Sequence, residues 1–126
     1  MISWRKLFSS FMFAFAGIFT TFKTEQNFRI HTIISVIVIT TAIALDFSSL
    51  KLIILLIVIG LVLALELINT AIENTVDLIT PEYHLLAKKA KDAAAGAVLV
   101  FSIFAVIIGI LLFIEPLMNS INNMKQ

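Results

Sequence analysis

No cysteine occurs in this chain, which excludes disulfide staples, thiolate zinc sites and cysteine nucleophiles. Charge is scarce as well. Asp, Glu, Lys and Arg make up 13% of the 126 residues, where soluble domains carry roughly a quarter. A chain this poor in charge and 60% hydrophobic reads as an integral membrane protein of one domain. Glycine is rare, and neither a GxxxxGK[ST] loop nor a protein-kinase glycine loop is present. Any nucleotide must therefore be held by side chains and helix ends. The formal net charge of +1 offers no basic excess for a nucleic-acid partner.

What the chain does have is long apolar blocks. They run 30–45, 52–72 and 93–114. A hydrocarbon core of ~30 Å needs about 20 helical residues. The third block is ample, the second reaches the length only by including Glu66 and Asn69, and the first needs Phe28, Arg29 and His31 at the interface. Before them, Trp4, Leu7, Phe8, Phe11, Phe15, Ile18, Phe19 and Phe22 recur at helical spacing. That pattern predicts an amphipathic helix lying in the interface, with a fourth, inserted span as the alternative. Lys23-Thr24-Glu25-Gln26-Asn27 follows it as a bulky polar run, not a signal-cleavage site.

The expected fold is all-α and membrane-integral over residues 1–126: an interfacial helix about 2–24 and transmembrane helices about 28–46, 50–78 and 86–115. Asp46 or Ser48 is expected to cap the second span, and Thr80 with Pro81 to open the third. Arg5, Lys6, Lys23, Arg29, Lys88, Lys89 and Lys91 precede the first span or lie between the second and third; only Lys51 and Lys125 lie elsewhere. The positive-inside rule then places the N-terminus and the 80–91 loop in the cytoplasm.

The most informative segment is ELINTAIENTVD, Glu66 to Asp77. At about 100° per residue, Glu66, Glu73 and Asp77 fall within roughly 20° of one another, with Asn69 about 60° to the side. A membrane-buried ionisable group costs at least ~2.5 kcal/mol, so three on one stripe need cations, metal, protons or a polar ligand before them. Helix rise puts Glu66 about 22 Å from Lys51 and Glu73 about 33 Å from it. The row thus climbs from oil into water, where Lys88, Lys91, Asp92 and Glu25 join it. A lipid hydroxyl approaches from one end and a charged cosubstrate from the other. Carboxylates and lysines at one depth suit phosphoryl transfer from a magnesium nucleotide.

Blander readings exist for each residue. Glu66 alone would suit a proton-coupled exporter, Asn69 helix pairing, and the lysines topology signals or anionic-lipid contacts. His31 and His84 read as interfacial residues. A non-enzymatic adaptor assembled through Ala93-Ala94-Ala95-Gly96-Ala97 is a third alternative.

TEQNFRIH (24–31), ELINTAIENTVD (66–77) and PEYHLLAKKAKDAAAGAVL (81–99) stand in order along the chain. In these three blocks it resembles the prokaryotic diacylglycerol kinase family, in its undecaprenol kinase branch. The resemblance implies a homotrimer in a bacterial cell membrane, with sites shared between subunits at the cytoplasmic interface, ATP as phosphoryl donor and Mg2+ as metal. It implies Glu66 as catalytic base toward a lipid hydroxyl and Glu25 and Glu73 as metal ligands. Lys91, Asp92, Glu82, Tyr83 and His84 would contact the nucleotide, and Lys6 would add a basic group near it. Asn69 and Asp77 would support the polar row. Undecaprenol is the expected acceptor and diacylglycerol the alternative. Phe13, Ala16 and Asn74 depart from the pattern the family suggests.

Overall fold

The computed structural model describes residues 3–123; Met1 and Ile2, where the first helix was expected to begin, and residues 124–126, with Lys125, lie outside it. The described residues form four helices in order: α1 (Trp4–Thr24), α2 (Gln26–Ala44), α3 (Ser49–Ile79) and α4 (Leu85–Asn123).

The helix ends follow local chemistry. Ser3 caps α1, its hydroxyl accepting from the Lys6 N–H at 3.4 Å. Glu25 alone separates α1 from α2, in extended conformation at φ −97° and ψ 117°. Its N–H closes α1 onto the Thr21 carbonyl at 2.8 Å, and the Arg29 guanidinium reaches back across the break to the Lys23 carbonyl at 3.1 Å. At the other end of α2, Asp46 takes the left-handed conformation at φ 52°. The Phe47 N–H then returns to the Ala42 carbonyl and the Asp46 N–H to Ile43, both at 3.1 Å. This is a Schellman ending with aspartate where glycine is usual. Of the two capping candidates it is Ser48 that caps α3, accepting from the Lys51 N–H.

Two boundaries differ from the sequence expectation. Thr80 ends α3 instead of opening α4: its N–H donates to the Val76 carbonyl at 2.9 Å and its hydroxyl to the Glu82 carbonyl at 3.2 Å. The α4 start is capped by His84, whose Nδ1 accepts from the Leu86 N–H at 3.2 Å. At its far end α4 continues through Pro116 to Asn123. Proline removes one helical hydrogen bond, a loss membrane helices tolerate where neighbours hold the segment. Here Lys51 of α3 pairs with Glu115 at 2.8 Å, and the Phe47 and Phe113 rings meet at 4.6 Å.

α3 is the central element, packed against α4 and α2. The best-buried cluster lies at the turn end of the bundle, where Ala42, Phe47 and Leu55 pack with Val38, Leu112 and Phe113. α1 lies along the opposite half of α3, with Phe13, Gly17 and Thr21 facing Leu67, Thr70 and Asn74 across a shared cavity. Large apolar side chains such as Phe104, Ile107 and Leu111 stay exposed. Water would not tolerate such a surface, but hydrocarbon does. By length and composition all four helices are able to cross a membrane, α1 included, where the sequence pattern counts three spans.

The buried cluster, not the ion pair, should carry the stability of the turn end. Leu55→Ala is expected to destabilise by about 2–5 kcal/mol. Lys51→Met should cost far less, because Glu115 is 70% exposed. Thermal unfolding of both variants in the same detergent checks the order, and equal losses would overturn it.

Candidate active site

The acidic row of α3 grades from buried to exposed. Glu66 is only 4% exposed, between the buried Val62 and Thr70 on the same helix face. Glu73 is half-buried and Asp77 is exposed. A carboxylate as buried as Glu66 needs a partner, and α2 supplies it: His31 Nε2 stands 3.2 Å from Glu66 Oε1. Glu73 and Glu25 are the other charged groups close enough to act on Glu66. Glu73 Oε1 accepts from Asn69 Nδ2 at 2.9 Å. Asn69 Oδ1 is buried and has no partner.

The basic residues come from α4. Lys91 Nζ donates to both oxygens of Asp77, at 2.9 and 3.0 Å. Lys88, one turn before Asp92, donates to its carboxylate. Glu25, Glu66, Asn69 and Glu73 thus form one neighbourhood at the joint of α1, α2 and α3, and Asp77 joins Lys91 and α4 to the end of the row. The remaining sequence-predicted residues lie outside this group. Glu82, Tyr83 and His84 are exposed in the α3–α4 connection, with His84 Nδ1 engaged as the helix cap. Lys6 is exposed near the start of α1 and forms no ion pair among the described residues. Two departures from the resemblance, Phe13 and Asn74, line one cavity of about 400 Å³ between α1 and α3.

His31 is the residue the sequence reading missed. Its place in the sequence reads as interfacial, yet it is the partner of Glu66. A signal existed. α2 and α3 are joined by a tight turn, so counting back along each helix brings residues 31 and 66 to the same depth within about one turn.

An apolar groove of about 560 Å³ opens beside this pair. It runs along α2, α3 and α4 from His31 past Val38 and Leu55 to Phe113 and Leu117. Its length therefore lies in the hydrocarbon, and its inner end lies at the Glu66 partner.

Among the described residues, no group of three or more His, Asp or Glu is close enough to hold a metal ion by itself. The donor set nonetheless fits a magnesium ion that arrives with phosphate. Such an ion takes one or two carboxylates and draws its other ligands from phosphate and water. Glu25 and Glu73 are hard oxygen donors, and the unpartnered Asn69 Oδ1 is an acceptor able to hold a metal-bound water.

Residues 12–113 match the protein family described as prokaryotic diacylglycerol kinase. The chain belongs to that family. An undecaprenol kinase of Bacillus subtilis (strain 168) is 46% identical over 112 residues, covering 89% of this chain and 91% of that protein. A diacylglycerol kinase of Synechocystis sp. is 48% identical over 114 residues, covering 90% of this chain but 65% of that longer protein. A diacylglycerol kinase of Escherichia coli (strain K12) is 34% identical over 95 residues, 75% of this chain and 78% of its own length. The protein is a membrane lipid kinase, and a kinase draws its phosphoryl group from a nucleotide. Membership removes the exporter and adaptor readings.

Proposed function

We propose that this kinase transfers the γ-phosphoryl group of ATP, with Mg2+, to the hydroxyl of undecaprenol. The observation that carries the reading is a buried carboxylate, Glu66, paired to His31 at the inner end of a membrane-deep apolar groove. The groove suits a lipid tail. Glu66 accepts the hydroxyl proton as the alcohol oxygen attacks phosphorus in line, so no phosphoenzyme forms. His31 holds one carboxylate oxygen and leaves the other toward the substrate. Glu25 and Glu73 would hold the metal, which neutralises charge on the transferring phosphoryl group. Asn69 fixes the Glu73 carboxylate.

Lys91 is held by Asp77 and is placed to exchange that carboxylate for phosphate oxygens. Asp92, with Lys88 on it, lies one residue further. Glu82, Tyr83 and His84 surround the entry from water, and Lys6 extends the basic surface along α1. The positive-inside pattern favours a cytoplasmic location for this end in a bacterial membrane. α1 packs beside the last turns of α3 instead of its apolar half, which supports an interfacial position. A homotrimer is supported by an open small-residue face of α4: Ala93 and Ala97 are exposed, and no atom approaches the Cβ position of Gly96, on the same face, within 4 Å. Such faces admit a neighbouring helix.

Undecaprenol is preferred because its kinase in Bacillus subtilis aligns over nine-tenths of both chains. Diacylglycerol is the second reading, favoured by the 48% identity of the Synechocystis enzyme. The test is ATP-dependent labelling of both lipids, offered together to purified protein in bilayers. Undecaprenol should be labelled first. Preferential diacylglycerol labelling would reassign the acceptor and keep the mechanism, and labelling of neither would overturn the reading.

A further inference from the structure

Eight of the fourteen side-chain hydroxyls inside these helices share one fate. Ser9, Ser10, Thr24, Thr32, Ser35, Thr40, Thr41 and Thr75 each donate to the carbonyl one turn back, at 2.7 to 3.2 Å. That is the cheap solution for a hydroxyl in hydrocarbon. Ser102 does not adopt it. Its Oγ is buried and has no hydrogen-bond partner. A hydroxyl left in that state carries its full desolvation penalty with nothing to offset it.

Ser102 also has a specific address. It lines the α2–α3–α4 groove together with His31. Two ion pairs fix how α3 and α4 lie against each other, Asp77 with Lys91 at one end and Lys51 with Glu115 at the other. Eleven residues along α3 from Asp77 is Glu66, and eleven along α4 from Lys91 is Ser102. Counting from the Lys51–Glu115 pair brings Glu66 level with residue 100, within a turn of the same place. Ser102 therefore stands at the depth of Glu66, across the inner end of the groove.

We infer that Ser102 Oγ is a second contact to the reacting hydroxyl of the lipid acceptor, on α4, facing the base on α3. The alcohol O–H donates to Glu66. The Ser102 O–H donates to one lone pair of the alcohol oxygen and leaves the other for phosphorus. Both lipid alcohols under consideration carry such a hydroxyl, so the contact positions either. This inference rests on the lipid kinase reading.

The test compares Ser102→Ala and Ser102→Thr with the parent protein in bilayers, recording kcat/KM for undecaprenol and for diacylglycerol, KM for ATP and thermal stability. Losing one neutral hydrogen bond should lower kcat/KM for whichever lipid is used by about 3- to 10-fold. KM for ATP should hold, and Ser102→Thr, which keeps the hydroxyl, should retain most of the activity. Stability separates this role from a structural one. Removing an unpaired buried hydroxyl should leave Ser102→Ala as stable as the parent or more so. Unchanged lipid kcat/KM in Ser102→Ala would overturn the inference, and so would a parallel loss of stability and of both substrates. Failure of the parent protein to label any lipid would overturn the kinase reading itself, and this contact with it.

Discussion

Glu66→Gln should lower lipid phosphorylation by about 10²- to 10⁴-fold, the usual contribution of a positioned general base, while the protein stays folded. The amide has the shape of the carboxylate. Its oxygen can still stand 3.2 Å from His31 Nε2, so the contact that Glu66 makes with α2 is kept. What it cannot do is take a proton from the attacking alcohol. Loss of a buried charge removes a desolvation cost, so the unfolding temperature should hold or rise. Initial rates at saturating ATP, paired with thermal unfolding, separate chemistry from folding. A variant that keeps more than about a tenth of the parent rate would show that the base lies elsewhere.

The second large effect belongs to the metal. Glu73→Gln should reduce activity by about 100-fold or more at ordinary magnesium, the upper range for perturbing a metal site. The substituted amide can still accept from Asn69 Nδ2, so the internal contact of Glu73 survives. Its donor strength toward a divalent cation does not. Raising magnesium should therefore recover part of the rate, whereas raising lipid should not. Full activity at ordinary magnesium would exclude Glu73 as a ligand. The two variants differ in kind, because added magnesium should leave Glu66→Gln where it was.

The acidic row was legible in the sequence because helical periodicity is a strong signal. Glu66, Glu73 and Asp77 had to share a face, and a face of carboxylates inside a hydrophobic block had to be functional. What periodicity could not say is which helices that face meets. One end meets His31 on α2 and the other meets Lys91 on α4. Those contacts depend on how antiparallel helices are set against one another, which no single segment encodes. Ser102 escaped for a related reason. A serine in a transmembrane helix can satisfy itself on its own backbone, and only the folded chain reveals that Ser102 is buried without doing so. The helical run of α4 past the apolar block is equally hidden, because what carries it through Pro116 is the grip of neighbouring side chains on either side.

The single-residue joint at Glu25 has a mechanical consequence. Two stiff rods meet there, and one of them, α1, is 21 residues long. That gives an arm of about 31 Å, so a swing of about 10° at the joint carries its tip roughly 5 Å. Run in reverse, the ratio works as a reduction gear. Jostling of the aromatic tip reaches the Glu25 carboxylate, only a few ångströms from the pivot, as a displacement well under 1 Å. The residue closest to the fulcrum is thus the one least disturbed by what happens at the end of the beam.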